Sequence, residues 1–306
     1  MPGGLIINRH RVIACGLIAL FVWIRPGASA NAGPVLPAAA RAIDGGRDIV
    51  VVVPQHQLYV DAGNPGIELP FMGGPLWQEA LKSAINAKTQ TAHERAEDSI
   101  GLLRDQLKDL DVATLATDAT RKAISTVGWL GGQEVTFGSD GSGGATQPAA
   151  DHRASQVMTV NYAYDLSSDL TGLIVTAKIQ ITSDPSPALS GGSSKRKRIF
   201  DQTVYSVVTL DSASKSPAEN IRRWTAENGR LAREAMKRGF AEMAVLIPQA
   251  LNLTEADLDV MTARDKKVKK ISDFEGWVQD VSPSGTLILL DFGPNFGLAH
   301  LETLSP

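Results

Sequence analysis

The sequence predicts an α+β protein: an antiparallel three- to four-stranded sheet with long amphipathic helices on one face, plus a small C-terminal β-meander. Two observations carry this prediction. Three segments between residues 158 and 210 alternate apolar and polar residues, as half-buried strands do. Two longer segments, over 75–110 and from Ser216 onward, repeat apolar residues every three or four positions, which is typical of amphipathic helices. The expected order is β-α-α-β-β-β-α-α-β-β-β.

The first thirty residues have the pattern of a cleavable signal peptide. Arg9 and Arg11 precede a thirteen-residue apolar run over 12–24, and small residues follow the run. The run is shorter than the roughly 20 residues that a membrane-spanning helix needs. We therefore expect export by the general secretory route to a bacterial periplasm, with cleavage after Ala30 or Ala32. No transmembrane span is expected after processing.

Processing would also change the chemistry that the chain can carry. It would remove Cys15, the single cysteine, so disulfides, thiolate catalysis and cysteine-bound metals are not expected. The 30 Lys and Arg of the full chain would fall to 27 against 33 Asp and Glu, a formal charge of −6. This mildly acidic balance gives no electrostatic reason to expect nucleic acid as a partner.

An α+β domain is predicted over 48–263, after a Pro-rich, aperiodic stretch at 31–47 that reads as a flexible leader. Its first strand is expected between Ile49 and Val60, interrupted or bent at Pro54, because proline cannot donate to a strand ladder.

Two helices should follow the first strand as a hairpin. The first covers about 75–110, and the second is capped by Asp111 and ends before Gly128. The next stretch, 131–155, is dominated by Gly, Ser, Asp, Ala and Pro, and we expect it to be a mobile loop.

The three alternating segments give the clearest strand signal in the chain. Each is expected to bury one face and leave the other polar. The predicted buried residues are Met158, Val160, Tyr162, Tyr164 and Leu166, then Leu173, Val175, Ala177, Ile179 and Ile181, and finally Val204, Ser206, Val208 and Leu210.

The last part of the chain contains two helix starts and a meander. Ser216 and Glu219 have the spacing of a capping box, and Pro248 should end or kink the helix that they begin. Thr254 with Asp257 predicts a short helix to about 263. Three strands are expected over 272–306, either as a satellite sheet or as an extension of the main sheet.

Motifs for catalysis or cofactor binding are weak. The segment Asp140-Gly-Ser-Gly-Gly144 resembles the nucleophile segment of trypsin-like serine proteases, but Asp and Gly are exchanged and His93 lies in a helical pattern. His93 and Glu97 lie one helical turn apart, a spacing that allows only a weak divalent site. No phosphate-binding glycine motif occurs. No catalytic residue, metal ligand or cofactor is therefore predicted.

Two features suggest contact with a partner. Lys195, Arg196, Lys197 and Arg198 form a basic cluster that could meet anionic lipid head groups or a polyanion, or simply be solvated. Trp129 lies among glycines and could be an exposed anchor for a partner protein or a core residue.

The leading functional hypothesis is an exported, non-enzymatic binding or accessory protein of the cell envelope. Its partner would be another envelope protein or an anionic membrane surface. Two alternatives stay open: an envelope hydrolase whose site is assembled from scattered Asp, Glu, His or Ser, and a carrier of an apolar ligand between the helices and the sheet.

Overall fold

In a computed structural model, the described residues form nine strands and five α-helices within one compact unit, 32–306. The described ranges are 35–42, 47–60, 98–130, 133–138, 155–183, 197–263, 276–292 and 295–304. The helices are α1 (Ala38–Arg41), α2 (Gly101–Leu107), α3 (Val112–Ser125), α4 (Pro217–Asn252) and α5 (Glu255–Thr262). The strands are β1 (Arg47–Val52), β2 (Tyr59–Val60), β3 (Val135–Gly138), β4 (Gln156–Leu166), β5 (Gly172–Ser183), β6 (Lys197–Leu210), β7 (Gly276–Ser282), β8 (Gly285–Phe292) and β9 (Asn295–Leu304).

The predicted antiparallel sheet of three or four strands is wrong. The strands form a single mixed sheet in the order β3-β1-β4-β5-β6-β9-β8-β7, and β2 also pairs with β4. β1 runs parallel to both β3 and β4, and β9 runs parallel to β6. The period-two pattern shows which face a strand buries but not which strand lies beside it, so these parallel pairings were not visible in the sequence.

The centre of the sheet agrees with the predicted strands. β4, β5 and β6 pair antiparallel over their full lengths, with one register shift between Ile181 and Thr182. The apolar residues predicted for the buried face are buried along all three strands. β7, β8 and β9 form the expected antiparallel meander, and β9 joins it to β6 as an extension of the main sheet.

Part of the predicted 131–155 loop is a strand. β3 pairs in parallel with β1, where Ile49 lies opposite Val135. β3 lies at the edge of the sheet and has only four residues. A strand this short does not show the alternation of apolar and polar residues by which longer strands are identified. Residues 139–154 lie outside the described part, and so do His93 and most of the helix predicted over 75–110, of which α2 is the described portion.

The first strand is interrupted near Pro54, as predicted, and a side chain bridges the gap. β1 and β2 both pair with β4, but residues 53–58 separate them. Within this break, the Gln55 amide Nε2 donates to the Tyr164 carbonyl (2.5 Å), and the Tyr164 N–H donates to Gln55 Oε1 (3.1 Å). The side-chain amide therefore takes the place of a peptide group in the strand ladder.

α4 begins after Ser216, as predicted, but its capping contacts and its end differ from the prediction. The Ser216 side chain makes no capping hydrogen bond, and Glu219 pairs with Arg222. Buried Asn220 holds this turn instead, since its side chain accepts from the Ser214 N–H (2.8 Å) and donates to the Ser214 carbonyl (2.9 Å). The helix also passes through Pro248 and ends at Asn252, so it does not stop at Pro248.

The break in α4 lies earlier, at Ala226–Gly229. Glu227, Asn228 and Gly229 have positive φ angles of 50°, 56° and 74°. In a continuous helix the Thr225 carbonyl would accept from the amide four residues later. Gln106 of α2 supplies a donor instead, at 3.1 Å, so α2 docks where α4 is interrupted.

The core lies between the sheet and the helices α3 and α4. Trp224 is fully buried, and its Nε1 donates to the Leu170 carbonyl (2.9 Å). Tyr162 packs against Phe240 with ring centroids 5.4 Å apart, and its hydroxyl shares a 2.8 Å hydrogen bond with Thr120 of α3. A smaller apolar cluster lies on the opposite face, formed by Ile174, Val207, Ile288, Leu290, Ala299 and Leu301.

A buried arginine joins the N-terminal segment to this framework. Arg47 of β1 is 7% exposed and donates to the carbonyls of Ala40, Arg41 and Trp129 at 3.0–3.1 Å. Its Nε donates to Gln156 Oε1 (2.8 Å). The guanidinium also lies 5.2 Å from the centre of the Trp129 ring.

Candidate functional site

An open groove of about 480 Å³ lies between the C-terminal end of α4, α5 and the strands β7–β9. This volume is within the range that ligand sites usually have. Most of its lining is apolar, and it includes Leu253, Val260, Met261, Leu287 and Leu298.

The groove floor is built by the meander. Leu298 of β9 is buried and pairs in register with Leu289 of β8. Leu287 lies two positions from Leu289 and therefore points to the same face of the sheet. This face is the one that α4 covers, so the floor of the groove is an uncovered continuation of the hydrophobic core.

The wall formed by α5 depends on the capping box predicted from the sequence, which is present. The Asp257 N–H donates to Thr254 Oγ1 (3.1 Å), and the Thr254 N–H donates to Asp257 Oδ2 (2.9 Å). Hydrogen bonds from the Thr254 hydroxyl and backbone lower the pKa of the Asp257 carboxyl. The turn is held from outside as well, because Arg41 Nη2 donates to the Leu253 carbonyl (2.7 Å). The groove thus has a fixed wall with an ionised carboxylate at its edge.

Two carboxylates line the groove, those of Asp257 on α5 and Asp280 on β7. Val260, which is 59% exposed, belongs to the same lining. The groove therefore combines apolar surface with a few polar groups, as binding sites do.

A second, smaller cleft of about 220 Å³ lies beside the break between β1 and β2. Its lining includes His56, Arg104 and Lys108 as well as Asp105. Arg104 Nε donates to the Leu58 carbonyl (2.7 Å), so its guanidinium helps to hold the interrupted strand. Burial raises the pKa of the neighbouring Tyr164 hydroxyl to about 12. Apolar residues such as Leu107 and Leu110 also line this cleft, and its Arg104 is engaged in stabilising the fold.

A buried Ser and a buried His lie near a partly exposed Glu, but the three residues do not form a hydrolytic triad. Ser206 and His300 are register partners in β6 and β9, and His300 Nδ1 lies 3.5 Å from Glu242 Oε1. His300 Nε2, however, lies against Gly285 of β8, where an added Cβ would be 2.4 Å from it. The nitrogen that would accept the serine proton therefore faces away from Ser206, which is 1% exposed.

Gln202 is the other buried polar residue in this part of the core. It is 2% exposed on β6, and within the described part of the chain neither its Nε2 nor its Oε1 has a hydrogen-bond partner. Burial of an unpaired amide destabilises a fold.

Trp129, one of the residues singled out from the sequence, lies next to the groove. It is half-buried, and its Nε1 donates to Oδ1 of Asn252, a groove residue, at 3.2 Å. It packs against the core, so it supports the edge of the groove.

The basic cluster is only partly described. Lys195 and Arg196 lie outside the described residues. Lys197 and Arg198 begin β6, and Arg198 Nη1 lies 2.9 Å from Asp201 Oδ2, on the polar side of that strand. The structure places these two basic residues on a strand and does not bring them into the groove lining.

The groove residues themselves were not singled out from the sequence. The capping box at Thr254 and Asp257 was the one local signal, and it located α5. Nothing in the pattern of Leu287 or Leu298 distinguishes a groove floor from ordinary core, because both fit a buried strand face.

Comparison with protein-family models, curated proteins and solved structures finds no match to this chain. Within the described ranges, no helix is both long and apolar enough to span a membrane. The same ranges contain no cluster of three or more His, Cys, Asp or Glu residues with the geometry of a metal site.

Proposed function

We propose that the protein is an exported, non-enzymatic binding or accessory module of the bacterial cell envelope, and that its groove holds another envelope protein. The observation that carries this proposal is the groove between α4, α5 and the meander. It combines an apolar floor, a wall fixed by the Thr254–Asp257 capping box and polar edges, the composition expected of a binding site. The N-terminal pattern of basic residues, apolar run and small residues supports export.

Export is tested by N-terminal sequencing of the protein recovered from the periplasmic fraction. A chain that begins at Asn31 or Gly33 is the expected result, because small residues precede both positions. A chain that stays in the cytosol and begins at Met1 would overturn this part of the proposal.

The binding role is tested by photo-crosslinking in cells. Benzoyl-phenylalanine at position 260 replaces an exposed valine in the groove, and the same residue at position 245 replaces an exposed valine of α4 that is not part of the lining. We expect one defined envelope protein to be crosslinked from position 260 and not from 245. Identical adducts from both positions, or none from either, would contradict the proposal. Crosslinks to lipid alone would place the site on a membrane surface instead.

A further inference from the structure

Met261 differs from the other methionines that the structure describes. The chain has six methionines, and those in the described ranges are Met158, Met236, Met243 and Met261. The first three belong to the core and are at most 1% exposed. Met261, near the end of α5, is half-buried and lines the groove. Among these four thioethers, that of Met261 is therefore the one that a solute in the groove can reach.

The groove has room for a small oxidant. It is open to solvent, and its volume of about 480 Å³ is many times the roughly 30 Å³ that one molecule occupies in liquid water. Hydrogen peroxide is only slightly larger than water. Methionine is readily oxidised to its sulfoxide, which is polar where the thioether is apolar. A peroxide that enters the groove therefore meets a reactive sulfur there.

A sulfoxide at this position would change the groove. Leu258 of α5 is buried, and Met261, three positions later on the same helix face, packs against the same core. The groove lining beside Met261 includes Leu253, Leu287 and Leu298. A polar group in an apolar lining costs free energy unless it finds a hydrogen-bond partner. Oxidation of Met261 would therefore weaken the apolar contacts that the groove offers to a ligand.

We infer that Met261 is an oxidation site of the folded protein and that its sulfoxide lowers the affinity of the groove for its ligand; the second part rests on the proposed binding role. The oxidant is a peroxide, which transfers one oxygen atom to Sδ. The O–O bond breaks and an S–O bond forms. The sulfur is oxidised by an electron pair, and with hydrogen peroxide the other oxygen leaves as water. Methionine sulfoxide reductases reverse this change, so the site can act as a switch.

The first test measures which methionine reacts. The purified protein is treated with hydrogen peroxide, and mass spectrometry of its peptides follows each methionine with time. Met261 should be oxidised at least about tenfold faster than Met158, Met236 or Met243, because these three are buried. In urea all four should react at similar rates, which controls for differences in intrinsic reactivity. Oxidation of one of the buried methionines as fast as Met261 in the folded protein would overturn the inference.

The second test measures the groove with Nile red, an uncharged apolar dye. Oxidation should weaken dye binding about fivefold, because the sulfoxide places a polar group in the apolar lining. Treatment with a methionine sulfoxide reductase should restore binding. Met261→Leu keeps an apolar side chain of similar volume, so its dye binding should be the same before and after peroxide treatment. An equal loss in Met261→Leu would show that another residue is responsible and would overturn the effect on the groove.

Two valine variants establish where the dye binds. Val260→Ser changes an exposed residue of the lining and should weaken Nile red binding about threefold. Val245→Ser changes an exposed residue of α4 outside the lining and should leave binding unchanged. Circular dichroism should show that both variants fold. If Val260→Ser also leaves binding unchanged, the groove takes up no apolar molecule and the effect on the groove is refuted.

The failure of this inference can be distinguished from the failure of the binding role. If position 260 crosslinks an envelope protein equally well with and without peroxide, the effect of oxidation is refuted and the binding role stands. If Met261 is oxidised selectively but position 260 crosslinks nothing, the oxidation site stands and the binding role falls.

Discussion

Two regions on the helix-covered face of the sheet contain buried polar residues, and they differ in how their hydrogen bonds are satisfied. At one side, Arg47 donates to three carbonyls and to Gln156, whose own amide donates to the Ala40 carbonyl at 3.1 Å. Toward the other side, both polar atoms of Gln202 lack partners among the described residues, and His300 Nδ1 lies 3.5 Å from Glu242 Oε1. The polar residues named in the two regions, apart from the partly exposed Glu242, are almost equally buried.

The difference shows that burial alone does not indicate what a polar residue does. The Arg47 cluster stabilises the fold, because it ties α1, the turn at Trp129 and β4 together. The Gln202 and His300 region leaves polar atoms without full compensation, which is expected to reduce stability. Substitutions of similar size should therefore have opposite effects in the two regions.

The largest effect is expected at Arg47. Arg47→Met keeps much of the side-chain volume but leaves the carbonyls of Ala40, Arg41 and Trp129 without this donor. We expect the free energy of unfolding to fall by about 3 kcal/mol or more in urea denaturation. Arg121→Met is the control: Arg121 is 60% exposed in an ion pair with Asp118, and its loss should change stability by less than about 0.5 kcal/mol. Equal losses in Arg47→Met and Arg121→Met would contradict the stabilising role of the Arg47 cluster.

A matched pair of glutamine substitutions gives the sharpest comparison. Gln202→Met removes an unpaired buried amide and should raise the free energy of unfolding by about 1 kcal/mol. Gln156→Met removes an amide whose oxygen and nitrogen each have a hydrogen-bond partner and should lower it by about 1–3 kcal/mol. Chemical denaturation of both variants measures whether each substitution raises or lowers the free energy of unfolding. A loss in both would mean that Gln202 finds a partner in solution.

The smallest effect is expected at Glu242 and depends on pH. Burial, and secondarily the nearby Glu302, raise the pKa of the Glu242 carboxyl above its ordinary 4.5, although His300 opposes this. The folded protein therefore binds this proton more tightly than the unfolded chain, and stability falls as pH rises from 4.5 through the raised value.

Glu242→Gln removes this titration. The variant should gain stability relative to the wild type as pH rises from 4 to 7, by less than about 1 kcal/mol because Glu242 is a quarter exposed. Thermal unfolding across this range measures the gain. His300, Glu302 and Arg238 face the same carboxylate region, so His300→Gln in a double-mutant cycle separates the histidine contribution. A pH-independent difference would contradict the expected burial effect.

The sequence predicted the centre of the fold well because its signal is local. Alternation from Met158 to Leu166 identifies both the strand and its buried face, and the same holds for β5 and β6. The pairings that connect the central strands to the meander join residues that are far apart in the sequence. Pairing of Ser206 with His300 depends on residues 94 positions apart, and no periodicity encodes that choice. Export remains a prediction, since residues 1–34 lie outside the described part.

The break in α4 could not be predicted from the sequence for a related reason. Trp224 and Leu231 are seven residues apart, which is about two helical turns, so the apolar stripe runs through the interruption. Asn228 and Gly229 were the only local signal, because both tolerate positive φ. The groove could not be predicted from the sequence. The cap at Thr254 locates the α5 wall, but the floor depends on the pairing of β9 with β6, which no local pattern encodes.

The hydrogen bonds between Gln55 and Tyr164 span the break between β1 and β2. The number of residues in this break can therefore change without a change in how β1 and β2 pair with β4. Six residues, 53–58, stand opposite three on β4, 162–164, and β1 and β2 nevertheless both pair with β4. Residues gained at the exposed positions 56 and 57 would enlarge a surface loop, whereas one residue gained within 47–52 would turn the following side chains to the opposite face. Evolution could therefore change the chain length between Gln55 and the buried Leu58 while Leu58 stays in the core.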